Sequence, residues 1–117
     1  TLYRRWSPNW TAYTETAAEV KRTFAEPGRL EAALGYYWTF AATARDRDLQ
    51  RFYAQKPKMP LLTFAGASDG AIVMKQFRRM EATLGPDFQL RVHQEAGHFL
   101  HREVPEWFAG KVQGFLG

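Results

Sequence analysis

Asp69 and His98 are the two side chains best placed for chemistry in this sequence. Each follows a short apolar run: Met59-Pro-Leu-Leu-Thr-Phe-Ala-Gly-Ala-Ser-Asp-Gly70 for the acid, Phe88-Gln-Leu-Arg-Val-His-Gln-Glu-Ala-Gly-His-Phe-Leu100 for the imidazole. The stretch between them has the length of one helix. The implied order is strand, loop with acid, helix, strand, loop with histidine. Adjacent strands lie roughly 5 Å apart, so a carboxylate at one tip is within reach of an imidazole at the next. A histidine held this way is a general base whose tautomer and orientation are fixed by the acid. Its ordinary pKa near neutrality suits proton transfer.

Simpler readings exist for each residue. Asp69 fits the N-cap of the following helix, a role worth about 1 kcal/mol. Gly97-His98 fits a plain turn. The two together, in this order and at two strand ends, favour catalysis. His98 and His101, three apart, suggest a metal pair, but with no cysteine and no third ligand nearby the donor set is too small. His93 falls on the polar face of a strand and reads as solvated. The expectation is that the site uses neither metal nor cofactor.

The elements that position these residues follow from periodicity. Leu61 to Ala65 is a continuous apolar run, as in a parallel strand buried on both faces. Ser68 or Asp69 can cap a helix in which Val73, Phe77, Met80 and Leu84 share one face, ended by Gly85-Pro86. Phe88 to His93 alternates Phe, Leu, Val inward against Gln, Arg, His outward. Pro105 suits the first turn of a last helix whose buried face carries Phe108, Val112 and Phe115. The second half is therefore βαβα with parallel strands. Two such strands need further strands and helices on both faces.

The first half is helical and aromatic. Thr16 to Ala25 reads as a short helix with Val20 and Phe24 on one side, stopped by Pro27-Gly28. Leu30, Leu34, Tyr37 and Ala41 mark a second amphipathic helix. Asp46 or Asp48 caps a third with Leu49, Phe52 and Tyr53. The opening segment with Trp6-Ser-Pro8 and Trp10 reads as an aromatic loop. Lys56-Pro-Lys-Met-Pro60 is a linker, which divides the chain into a helical segment, 1–55, and an α/β segment, 56–117.

Composition narrows the partners. A chain of 117 residues is about one small domain, and the 15% aromatic share argues against disorder. The net charge of +4 comes from scattered basic residues, without the clustered stripe of a nucleic-acid surface. No apolar stretch approaches the roughly 20 residues of a membrane span. Absence of cysteine excludes disulfides and fits a reducing, cytoplasmic setting. The expected partner is a small-molecule substrate, with neither nucleic acid nor membrane.

The words Pro60-Leu-Leu-Thr-Phe-Ala-Gly66 with Asp69, and Ala96-Gly-His-Phe-Leu-His-Arg-Glu-Val-Pro-Glu106 closed by Phe115-Leu116, resemble the end of the α/β-hydrolase fold. The resemblance covers roughly residues 59 to 117. It implies that Asp69 is the acid after the seventh strand and His98 the histidine after the eighth. Ser7-Pro8, Trp10, Phe24-Ala-Glu-Pro-Gly28 and Ala32-Ala-Leu-Gly-Tyr-Tyr-Trp38 are similar to the helical cap of epoxide-hydrolase-like members. By that similarity Tyr36 or Tyr37 would hydrogen-bond an epoxide oxygen. Phe99, next to the histidine, either faces the active-site cavity or plugs it.

The resemblance also implies a nucleophile elbow ahead of these elements, and none is found here. Gly66-Ala-Ser-Asp-Gly70 fits Gly-x-Ser-x-Gly at Gly66, Ser68 and Gly70, yet the family's order of nucleophile, acid, histidine makes this the acid loop. The expectation is therefore the C-terminal part of a hydrolase acting on an ester, epoxide or similar small apolar substrate. Its sheet would be completed by an upstream portion of the same protein or by a second copy in a homodimer. The competing expectation is a truncated, non-catalytic fragment acting as a domain-swapped oligomer or interaction module, through an exposed strand edge.

Overall fold

The computed structural model describes residues 1–117, except for the side chain of Ala41. Ala41, expected on the apolar face of its helix, thus lies outside the described residues. The fold is mixed: a two-stranded parallel sheet with helices around it. In chain order the elements are α1 (Leu2–Trp6), α2 (Tyr13–Phe24), α3 (Arg29–Thr43), α4 (Arg47–Tyr53), β1 (Leu61–Gly66), α5 (Met74–Leu84), β2 (Phe88–His93), α6 (Leu100–Glu103) and α7 (Pro105–Leu116). None of the described helices is long and apolar enough to cross a membrane.

The chain separates into two compact units. One is Thr1–Tyr13 together with Pro57–Gly117, and the other is Thr14–Lys56. The boundary near residue 56 coincides with the Pro-flanked linker. The first 13 residues do not stay with the helical segment to which the sequence reading gave them. They form α1 and a turn, and they are tied by hydrogen bonds to loops of the second half, described below.

In the α/β unit, β1 and β2 pair in parallel with Leu61 opposite Phe88 and Gly66 opposite His93. Their C-terminal ends are flush, which fixes where the two following loops start. Strand alternation puts Leu62, Phe64 and Gly66 on one face with Gln89, Arg91 and His93. This polar set was expected to face water. Instead α7 covers it: Phe64 lies against Trp107 and Phe108, and His93 meets Trp107 edge-on at 5.1 Å. The polar groups are tolerated there because they satisfy one another. Arg91 Nη2 donates to Gln89 Oε1 at 2.7 Å, and His93 Nδ1 accepts from the Glu95 and Ala96 amides.

The core consists of Ala65, Phe77, Phe88, Ala96 and Leu100. Phe77 supplies the buried side of α5. Neither Ser68 nor Asp69 caps that helix; its N-cap is Val73, which has no side-chain acceptor and is exposed. The intervening residues 70–73 are held as a loop by Asp69 itself. Pro105 does occupy the first turn of α7, as its fixed φ suits.

In the helical unit Asp46 caps α4, its Oδ1 accepting from the Asp48 and Leu49 amides at 2.9 and 3.1 Å. The apolar residues of α3 expected to face inward, Leu30, Leu34 and Tyr37, are exposed. Amphipathic spacing there marks a face without a partner inside this unit.

Candidate active site

The site is built from the two loops that leave the flush strand ends. Ala67 and Ser68 extend β1 by donating to the His93 and Ala96 carbonyls at 2.9 and 3.0 Å. The second loop thereby runs beside the first rather than away from it. Gly66 permits this crossing, because a Cβ there would collide with the Ala96 and Gly97 carbonyl oxygens.

Asp69 divides its two oxygens between two tasks. Oδ1 accepts from the Ala71 and Ile72 amides at 2.7 and 3.0 Å, which curls the loop around the carboxylate. Oδ2 faces His98 Nδ1 at 3.0 Å. The carboxylate side chain is 5% exposed and the imidazole 27%. An ionised carboxylate only accepts, so Nδ1 carries the proton of the pair. In the neutral ring the lone pair is then on Nε2, which has no hydrogen-bond partner among the described residues. The histidine contact is thus present, while the N-cap alternative is not: Oδ1 closes a turn ahead of α5, whose N-cap is Val73.

The N-terminal segment locks this arrangement. The Trp6 carbonyl accepts from the amides of both Gly70 and His98 at 3.1 Å, so one oxygen joins the acid loop to the histidine loop. Ser7 is fully buried and donates from Oγ to Glu103 Oε1 at 2.7 Å. Glu103 also accepts from the Gly97 amide at 2.8 Å and the Phe99 amide at 3.0 Å. Gly97 is required at its position, since a Cβ would stand 2.5 Å from Ser7 Cα and 2.7 Å from the Trp6 oxygen. Sequence reading missed Ser7, Glu103 and the main-chain oxygen of Trp6 as parts of the site. The only available signal was the Glu103-Val-Pro-Glu106 word after the histidine.

Aromatic rings flank the imidazole. Trp6 meets it edge-on at 4.9 Å and Phe99 at 5.3 Å. Phe99 in turn touches Tyr3 and Trp10, which contact Tyr13. The two rings beside His98 are therefore continuous with a larger aromatic cluster. Phe99 does adjoin the imidazole. Tyr36 and Tyr37 belong to the helical unit, where both are 63% exposed on α3. Tyr36 borders a cavity of about 680 Å³ with Phe40, Gln50 and Tyr53.

Three other sequence candidates have structural partners. Ser68 Oγ accepts from Asn9 Nδ2 at 3.1 Å. His93, expected to be solvated, is a turn former as described above. His101 packs its ring near Phe108.

No protein-family model, no curated protein and no solved structure matches this chain.

Proposed function

We propose that this chain carries the acid and the general base of an α/β-hydrolase-type triad, Asp69 and His98, and serves hydrolysis of an ester, epoxide or similar small apolar substrate. The observation that carries the reading is the Asp69 Oδ2 to His98 Nδ1 contact of 3.0 Å at two flush parallel strand ends, with no partner for Nε2 among the described residues. A base needs that pattern: one ring nitrogen fixed, the other open to a reacting proton. With a serine nucleophile, Nε2 takes the hydroxyl proton. With an aspartate nucleophile, it activates the water that hydrolyses the ester intermediate. Trp6 and Phe99 beside the ring favour an uncharged, apolar group next to the reacting bond.

The nucleophile in this reading comes from polypeptide outside these residues. Ser7 is buried and committed to Glu103, and Ser68 is engaged by Asn9. The 117-residue chain alone is accordingly expected to be inactive. The test is turnover of a p-nitrophenyl ester and of a small epoxide by the full encoded protein. His98→Ala is expected to lower kcat by a factor on the order of 10³ or more. Turnover close to that of the unsubstituted protein would remove His98 from the role.

A second reading has its own support. Among the described residues β1 pairs only with β2, so its other edge has no strand beside it and offers a place for one. An interaction module completed by a second copy follows from this. Light scattering on the 117-residue chain separates the two, since a well-folded monomer argues against the module.

A further inference from the structure

We infer that Glu103 is the positioning residue for His98. The three consecutive amides centred on the imidazole are all committed. His98 N–H donates to the Trp6 carbonyl, while the N–H groups of Gly97 and Phe99, on either side, both donate to the Glu103 carboxylate. The carboxylate thus holds the backbone immediately before and after the imidazole, and through it the direction of the Cα–Cβ bond that carries the ring. Ser7 Oγ donates to the same carboxylate from a fully buried position, which orients Glu103 from the N-terminal segment. Hydrogen bonds to an ionised acceptor are shorter and stronger than neutral ones, and these measure 2.7 to 3.0 Å.

The plain alternative is that Glu103 only ties off the start of α6, a four-residue helix whose N-cap, Phe99, offers no side-chain acceptor. A cap and a positioning group predict the same loss of stability. They differ in what happens to the imidazole. In the positioning role, loss of the carboxylate releases the ring from Asp69, so the Nδ1–H tautomer no longer dominates. In the capping role, α6 frays and the ring stays where it was.

This inference rests on reading His98 as the base, and the two fail separately. The experiment is nitrogen-15 NMR of the His98 imidazole in the 117-residue chain, with amide exchange at Gly97 and Phe99, for the native sequence, Glu103→Gln and Glu103→Asp. A glutamine has one acceptor oxygen where the carboxylate has two, so one flanking amide loses its carboxylate partner; Gly97 then has none, whereas Phe99 keeps a longer bond to Ser7 Oγ at 3.3 Å. In Glu103→Gln the expected results are a mixed imidazole tautomer and amide exchange faster by about ten-fold or more at one or both amides. Glu103→Asp, which keeps the charge, is expected to restore part of the Nδ1–H population. A pure Nδ1–H imidazole in Glu103→Gln overturns the inference while leaving the base role of His98 intact. Normal turnover of His98→Ala overturns the base role and leaves the NMR outcome unchanged. If Glu103→Gln does not fold, the native chain decides. Couplings across the hydrogen bonds from the Gly97 and Phe99 nitrogens to the Glu103 carboxyl carbon are expected, and their absence overturns the inference.

Discussion

Asp69→Asn separates the two tasks of this residue. The substitution keeps one oxygen and replaces the other with an NH₂ group. The oxygen is expected to stay with the Ala71 and Ile72 amides, because turning it away would break two hydrogen bonds and set an NH₂ group against two donors. The NH₂ group then faces His98 Nδ1 and can only donate to it. To accept, the neutral imidazole must move its proton to Nε2, which turns the reactive nitrogen from acceptor into donor. Stability should change little, by about 0.5–1.5 kcal/mol, since a charge-assisted hydrogen bond becomes a neutral one of similar geometry. Turnover should fall by roughly 10³–10⁴, the scale of a wrongly protonated base. Two measurements give the answer: kcat of the full protein, and the nitrogen-15 shifts of the His98 ring. An imidazole that keeps its proton on Nδ1 in Asp69→Asn would refute the assignment of the 3.0 Å contact as the tautomer-setting bond. Undiminished turnover beside a flipped tautomer would instead refute the base role of His98.

Two further substitutions test the surroundings. Gly97→Ala places a methyl group against Ser7 Cα and the Trp6 oxygen; a destabilisation of about 1–3 kcal/mol is expected in denaturant unfolding, and an unchanged midpoint would show that the two segments are not tightly packed. Ser68→Ala removes only the acceptor for Asn9 and should leave turnover within about two-fold, inside the usual small effect of a peripheral change; abolition of activity would instead make Ser68 the nucleophile.

What the sequence revealed was local. β2 was readable to its ends because Phe88, Leu90 and Val92 alternate strictly, and α7 because Pro105 and the 3.6-residue spacing of Phe108, Val112 and Phe115 agree. Asp69 and His98 were legible as a pair because each falls just past a strand, where parallel pairing sets their separation. The start of α5 was misread because Asp69 satisfies the Ala71 and Ile72 amides by an Asx turn, which competes with helix initiation. His93 was misread because alternation says which residues share a face, not whether a later helix will cover it. Ser7 and Glu103 stand almost at opposite ends of the sequence, and no local pattern couples them. Their contact needs the N-terminal segment to return to the strand tips, a non-local event without periodicity or spacing to announce it.

The oxygen that joins the two loops belongs to the main chain of Trp6. Every amino acid brings an identical carbonyl to position 6, so a residue-by-residue scan would register the lost indole and overlook the linchpin. Only chemical editing of the backbone, such as a thioamide at the 6–7 linkage, would expose it. The junction this oxygen makes is thus independent of the indole, which acts separately on the imidazole beside it.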